Sequence, residues 1–227
     1  MITIQIIKKE LEYFIFNYFD SYKYTYNKKA NNILIEFNEV IIDISFTFIK
    51  IDKGIFKVQI GTGLGHNLVN KYLRNCKLYP IKYDNYPIIH NFSTFEEKEL
   101  LNVYINSSDR LNLYIKNLKN YLDNSIMPFY TKYSTISAID FKYNSDNGLN
   151  PFSKQNSNDE IKAIIICCLA NNPNRSGIMI NRLTKISENI DFYKVNYNII
   201  GLIEELKNDN LISEQDFKYY EKKYKLA

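Results

Sequence analysis

The 227-residue chain has no tryptophan, only two histidines, three cysteines, five prolines and seven glycines, and its net charge is +4. Each shortage removes a class of function. His66 and His90 cannot make a three-histidine metal site, and no ligand pair with i,i+4 or CxxC spacing supports a mixed one. A hydrolytic triad needs a nucleophile, a histidine and an orienting acid. The chain has neither a GxSxG elbow nor a catalytic-cysteine signature. Cys76, Cys167 and Cys168 show no paired spacing, so a reduced, cytoplasmic setting is expected. No cofactor, metal or enzymatic role is expected.

Excess charge of one sign is also missing. Residues 1–60 carry 8 basic and 7 acidic side chains, residues 61–150 carry 10 and 8, and residues 151–227 carry 11 and 10. Nucleic-acid binders concentrate their positive charge on one face or arm. The longest apolar run in a helical stretch, Ala163 to Ala170, is far short of the ~18–20 residues that span a bilayer. The opening Met1-Ile2-Thr3-Ile4-Gln5 is not a basic region leading into a long apolar one, so neither a signal peptide nor a membrane segment is expected.

Lys, Asn, Ile, Tyr and Phe are abundant, with 20 tyrosines and 14 phenylalanines. Their codons are rich in A and T, so base composition explains the aromatic content without selection for a stacking function. Apolar residues make up 45%, enough for a sizeable core and against wholesale disorder.

The strongest pattern runs from Asn32 to Gly61. Ile33, Ile35 and Phe37 alternate with Leu34 and Glu36. Val40, Ile42, Ile44, Phe46 and Phe48 alternate with Ile41, Asp43, Ser45 and Thr47. Beyond Asp52-Lys53-Gly54, Phe56, Val58 and Ile60 alternate with Lys57 and Gln59. Period-two alternation is what a sheet with one buried and one wet face requires, and the turn residues at the breaks make hairpins. Tyr22, Tyr24 and Tyr26 predict a leading edge strand guarded by Lys23, and Pro87-Ile88-Ile89-His90 one more short strand.

Helical spacing appears over residues 3–20, through Ile4, Ile7, Leu11, Phe14, Ile15 and Tyr18. It returns from Leu68 to Cys76, and from Leu111 to Ile126, where Pro128 is expected to stop it. Thr94-Phe95-Glu96-Glu97 has capping-box spacing and predicts a helix toward Ile105. Residues 144–158 read as a linker. Ser157 to Glu160 again has capping-box spacing, opening a helix from Ile161 to Ala170 that is apolar almost all round and that Asn171-Asn172-Pro173 ends. Further helices are expected near 177–190, 196–207 and 213–224. The fold expected is α+β: an antiparallel meander of three to five strands covered by helices, with a helical C-terminal subdomain. Its parts are 1–143, the linker 144–158, and 159–227 packed on the first.

Three candidate sites follow. The outward sheet face, Glu36, Asp43, Ser45, Thr47, Lys57 and Gln59, is a flat polar surface on a rigid scaffold, suited to a protein partner; its ordinary reading is a solvated face. Tyr22, Tyr24 and Tyr26 with Lys23, Lys28 and Lys29 could stack single-stranded nucleic acid, against the simpler reading of a tyrosine-rich edge strand. Gly61, Gly63 and Gly65, with His66, stand after a strand and before a helix, where a loop can cradle an anion. The spacing matches neither the dinucleotide fingerprint nor the P-loop, and glycines that let the chain leave the sheet at positive φ are the simpler reading.

Ile44-Ser45-Phe46, Ile126 through Ser134 and Leu169 through Pro173, in the order helix, meander, long helix and helical tail, carry a resemblance. The chain resembles a loose group of bacterial domains of unknown function, some found near polymorphic toxin systems and regarded as immunity proteins. The resemblance implies a non-enzymatic, cytosolic, partner-binding role, with a toxin or another protein as partner. It carries no catalytic residues.

Overall fold

The computed structural model describes residues 2–78, 89–90, 101–145 and 159–224. Contacts gather the chain into two units, residues 1–64 with 90–134 and residues 65–89 with 135–227.

The first unit opens with α1, Ile4–Tyr18. The Thr3 hydroxyl accepts from the Ile6 amide at 3.3 Å, capping one of the orphan donors of the first turn, and Ile7, Leu11 and Ile15 form the buried stripe. A sheet follows in the order β1 (Lys23–Asn27), β2 (Asn32–Phe37), β3 (Val40–Asp52), β4 (Ile55–His66) and β5 (Ile89–His90). The turns between β1 and β2, β2 and β3, and β3 and β4 each contain one left-handed residue: Asn31 (φ 50°), Asn38 (φ 53°) and Gly54 (φ 73°). Only glycine and asparagine visit that region cheaply, so these residues hold the meander's reversals.

Register pairs Ile33 with Ile44 and Ile35 with Ile42, and all four are fully buried with Val40 and Val58. Burying each such side chain contributes roughly 1.5–3 kcal/mol. Helix α1 lies on this side. Phe16 stacks on Tyr24 at 5.6 Å and meets Tyr26 edge-on, and the Tyr26 hydroxyl donates to Glu12 at 2.9 Å.

Helix α3, Ser108–Tyr121, is capped by the Ser107 hydroxyl and buries Leu111, Tyr114, Leu118 and Tyr121. Pro128 does not stop the helical path as its sequence position suggests. Residues Leu122–Ile126 form a π-turn, with the Met127 amide bonded to the Leu122 carbonyl, and α4 (Met127–Lys132) begins with proline in its first turn. The wider turn absorbs both the missing proline N–H and the clash its ring would make one turn back. The helix expected toward Ile105 does not reach it. Ile105 instead exchanges two backbone bonds with Phe56, at 3.0 and 2.8 Å, as an extended bridge. The Thr94–Glu97 capping box lies outside the described residues.

The second unit is helical: α2 (Asn67–Cys76), α5 (Ile136–Ser145), α6 (Asp159–Leu169), α7 (Arg175–Glu188), α8 (Ile190–Asn196), α9 (Ile199–Asn208) and α10 (Glu214–Tyr224). Helix α6 packs against α2, α5 and α7, while α10 packs against α7 and α9. Every residue from Ile161 to Cys168 is buried, as a helix apolar on nearly every side demands, and the burial takes in the charged Lys162. The grouping is not sequential: α2, and α5 up to its last two residues, fall within residues 1–143 yet share the unit of the C-terminal helices. A helix joins whichever neighbours match its apolar stripe, and chain order does not record that. Asn144 and Ser145 of the expected linker close α5, while residues 146–158 lie outside the described ones. No helix among the described residues is long and apolar enough to cross a membrane.

Candidate interaction surface

The outward sheet face is built by cross-strand rows. Lys23 stands opposite Glu36 and Glu36 opposite Ile41; Thr25 stands opposite Leu34 and Leu34 opposite Asp43; Asn27 stands opposite Asn32 and Asn32 opposite Ser45. Glu36, Thr47 and Gln59 are exposed and Lys57 is half-buried. The Lys23 ammonium reaches Glu36 at 2.7 Å across the first row. Asp43 and Ser45, expected beside them as contact residues, are more withdrawn. Asn32 donates to Asp43 at 3.2 Å, and the Ser45 hydroxyl donates to the Gly61 carbonyl at 3.4 Å. Burial pushes the Asp43 carboxyl above its ordinary range, against the Asn32 bond, which lowers it. Sequence reasoning missed Leu34 and Ile41, two half-buried aliphatic residues on this wet face. Their signal was present, since both occupy the outward phase of the alternation.

The tyrosine edge exists as β1, but its rings are already packed. Tyr22 meets Phe19 at 5.8 Å and Phe37 at 6.0 Å, while Tyr24 and Tyr26 sit against Phe16. Lys23 pairs with Glu36, and Lys28 lies 3.9 Å from Glu12. Lys29 has no ion pair among the described residues. A base-stacking platform needs bare ring faces and uncompensated cations, and this edge spends most of both internally.

The glycine-rich loop is not a loop. Strand β4 continues to His66, so Gly61, Gly63 and Gly65 are buried strand residues alternating with buried Thr62, Leu64 and His66. Among the described residues the glycine at positive φ is Gly54, which corrects the expectation that this trio leaves the sheet that way. Glycine at every second position strips one face of the strand of side chains, allowing close approach; it is itself a period-two pattern. His66 is the N-cap of α2, its Nδ1 accepting from the Leu68 amide at 3.2 Å. That bond commits the lone pair a general base would use. His90 lies in β5.

Among the described residues no group of three or more His, Cys, Asp or Glu side chains could hold a metal ion. All three cysteines are buried. Burial pushes the Cys76 thiol up to about 12, and a hydrogen bond with Cys168 together with burial pushes Cys167 well above the ordinary range. Such thiols are poor nucleophiles.

The helical unit holds a polar network that sequence reasoning did not find. Arg182 donates to Glu160 at 2.9 Å and to Asn144 at 3.3 Å. Asn144 in turn donates to Asp140 at 2.8 Å, which also accepts from Asn172, and Tyr143 donates to Asp159 at 2.9 Å. These bonds tie α5, α6 and α7 together. Beside them lies a cleft of about 210 Å³ lined by Asn144, Ser145, Asn174, Gly177, Ile178, Asn181 and Arg182. Because the Arg182 charge is already met by Glu160, the network serves cohesion more readily than capture of an anion. Its members are scattered between residues 140 and 182, with no spacing to betray them.

Compared with family models, with curated proteins and with solved structures, the chain matches none.

Proposed function

We propose that this chain is a non-enzymatic protein-binding protein whose contact surface is the outward face of β1–β4. One observation carries the reading: Leu34 and Ile41 lie in adjacent cross-strand rows, half-exposed, and are rimmed by Lys23, Thr25, Glu36 and Asp43. An apolar centre with a polar, charged rim is the anatomy of a protein-recognition patch. The buried Ile33, Ile35, Ile42 and Ile44 behind it make the platform rigid. The resemblance to toxin-associated domains makes a toxin the natural partner, neutralised by surface complementarity and not by chemistry.

The test is co-expression with the protein encoded beside this chain. Wild type should copurify with it at fixed stoichiometry, and the double variant Leu34→Asp/Ile41→Asp, which keeps the inner face, should lose it. Copurification that survives the double variant refutes this surface. No stoichiometric partner for the wild type refutes the function.

A further inference from the structure

The sheet ends at β1, and no described strand covers its outer side. An edge of this kind offers a row of backbone donors and acceptors to another strand, and proteins commonly block it with an outward lysine. Here the blocking lysine is turned away. Lys23 stands directly opposite Glu36 in the register and reaches back to it at 2.7 Å, over the sheet face. What remains along the edge is Tyr24, Thr25, Tyr26 and Asn27, all uncharged.

We infer that β1 pairs antiparallel with β1 of a second copy of this chain, about a two-fold axis through Thr25. The sequence Tyr24-Thr25-Tyr26 reads the same in both directions. The register centred on Thr25 is also the one that pairs all five strand residues. It sets Tyr24 against Tyr26 of the other copy, twice, and aromatic cross-strand pairs are among the stabilising ones. Charges are compatible: Lys23 faces the neutral Asn27, and Lys28, just beyond the strand, faces Tyr22. Centring on Tyr26 instead would set Lys23 against Lys29, a like-charge pair. Phe16, already against both tyrosines, would extend the aromatic cluster across the axis. A five-residue strand buries little area, so the dimer is weak and concentration-dependent. The inference does not rest on the outward-face reading, because the pairing uses the backbone edge of β1, although the Thr25 side chain also lies in the rim of that face.

Sedimentation of the full chain over a concentration series reads the association directly. The expected result is a shift toward twice the monomer mass that Thr25→Lys abolishes, since that change sets lysine against lysine on the axis. Thr25 is exposed, so its variants should fold. Thr25→Cys adds a geometric readout: only residues on the axis meet their own copies at disulfide range, and the three native cysteines are buried. Under mild oxidant it should give covalent dimers several-fold more readily than an exposed control, Glu221→Cys. A monomer at all concentrations up to about 1 mM, a dimer indifferent to Thr25→Lys, or equal cross-linking by the two cysteine variants would each overturn the inference.

Discussion

In the sheet unit, the buried residues of β2 and β3 are Ile33, Ile35, Val40, Ile42, Ile44 and Phe46, all apolar and all at one phase of the alternation. In the helical unit, Asp140 of α5, Asp159 and Lys162 of α6 and Arg182 of α7 are buried. The four buried charged side chains among the described residues therefore fall in one unit. A strand sorts its residues between two faces, so the polar residues of β2 and β3 reach water by position. A helix surrounded on three sides, as α6 is by α2, α5 and α7, has no such outlet, and its polar neighbours must satisfy one another. The sheet unit is held by area removed from water. The helical unit adds hydrogen-bond geometry that fixes which helix lies against which.

Three measurements sharpen or break that contrast. The largest effect is expected at Ile44→Ala, which empties a fully buried site in the sheet and should cost about 3–4 kcal/mol in denaturant unfolding. A loss below about 1 kcal/mol would mean that the sheet does not depend on its apolar face as described.

Arg182→Met is expected to cost somewhat less, about 2–3 kcal/mol, because Glu160 is left partly buried with only Lys185, 3.8 Å away, for compensation. The double variant Arg182→Met/Glu160→Leu should recover at least half of that loss, since no uncompensated charge then remains. If the double variant is no more stable than the single one, the network is not the organising feature of the helical unit.

The smallest effect is at Asp43. Its carboxyl is raised by burial, so the folded state holds the proton to higher pH than the unfolded chain does. That contribution is complete below the ordinary carboxylate value and is lost as pH rises through the raised one. Asp43→Asn should therefore stabilise the protein at pH 7, by under about 1 kcal/mol given screening at this half-exposed site. The gain should vanish on acidification, and a stabilisation that grows toward acid would reverse the assignment.

The β-meander was legible because its signal is local. Alternation, and Asn and Gly at the reversals, act within a few residues of where they stand. The same locality explains the failures. Pro128 reads as a stop by its own chemistry, yet a π-turn upstream accommodates it. Gly61, Gly63 and Gly65 read as a loop by composition, although their spacing is a strand's. Leu34 and Ile41 were visible in the alternation, but their place at the centre of a surface depends on register with β1 and β3.

What the sequence determined alone is the alternating strands between Asn32 and Ile60, the helices that carry an apolar stripe, and which face of each is apolar, because those properties are set by neighbours one to four residues away. Tertiary structure alone decided that α2 and α5 join the C-terminal helices, and that Asp140, Asn144, Glu160 and Arg182 meet. Those outcomes depend on contacts between residues far apart in the chain, for which a single sequence carries no periodic signal.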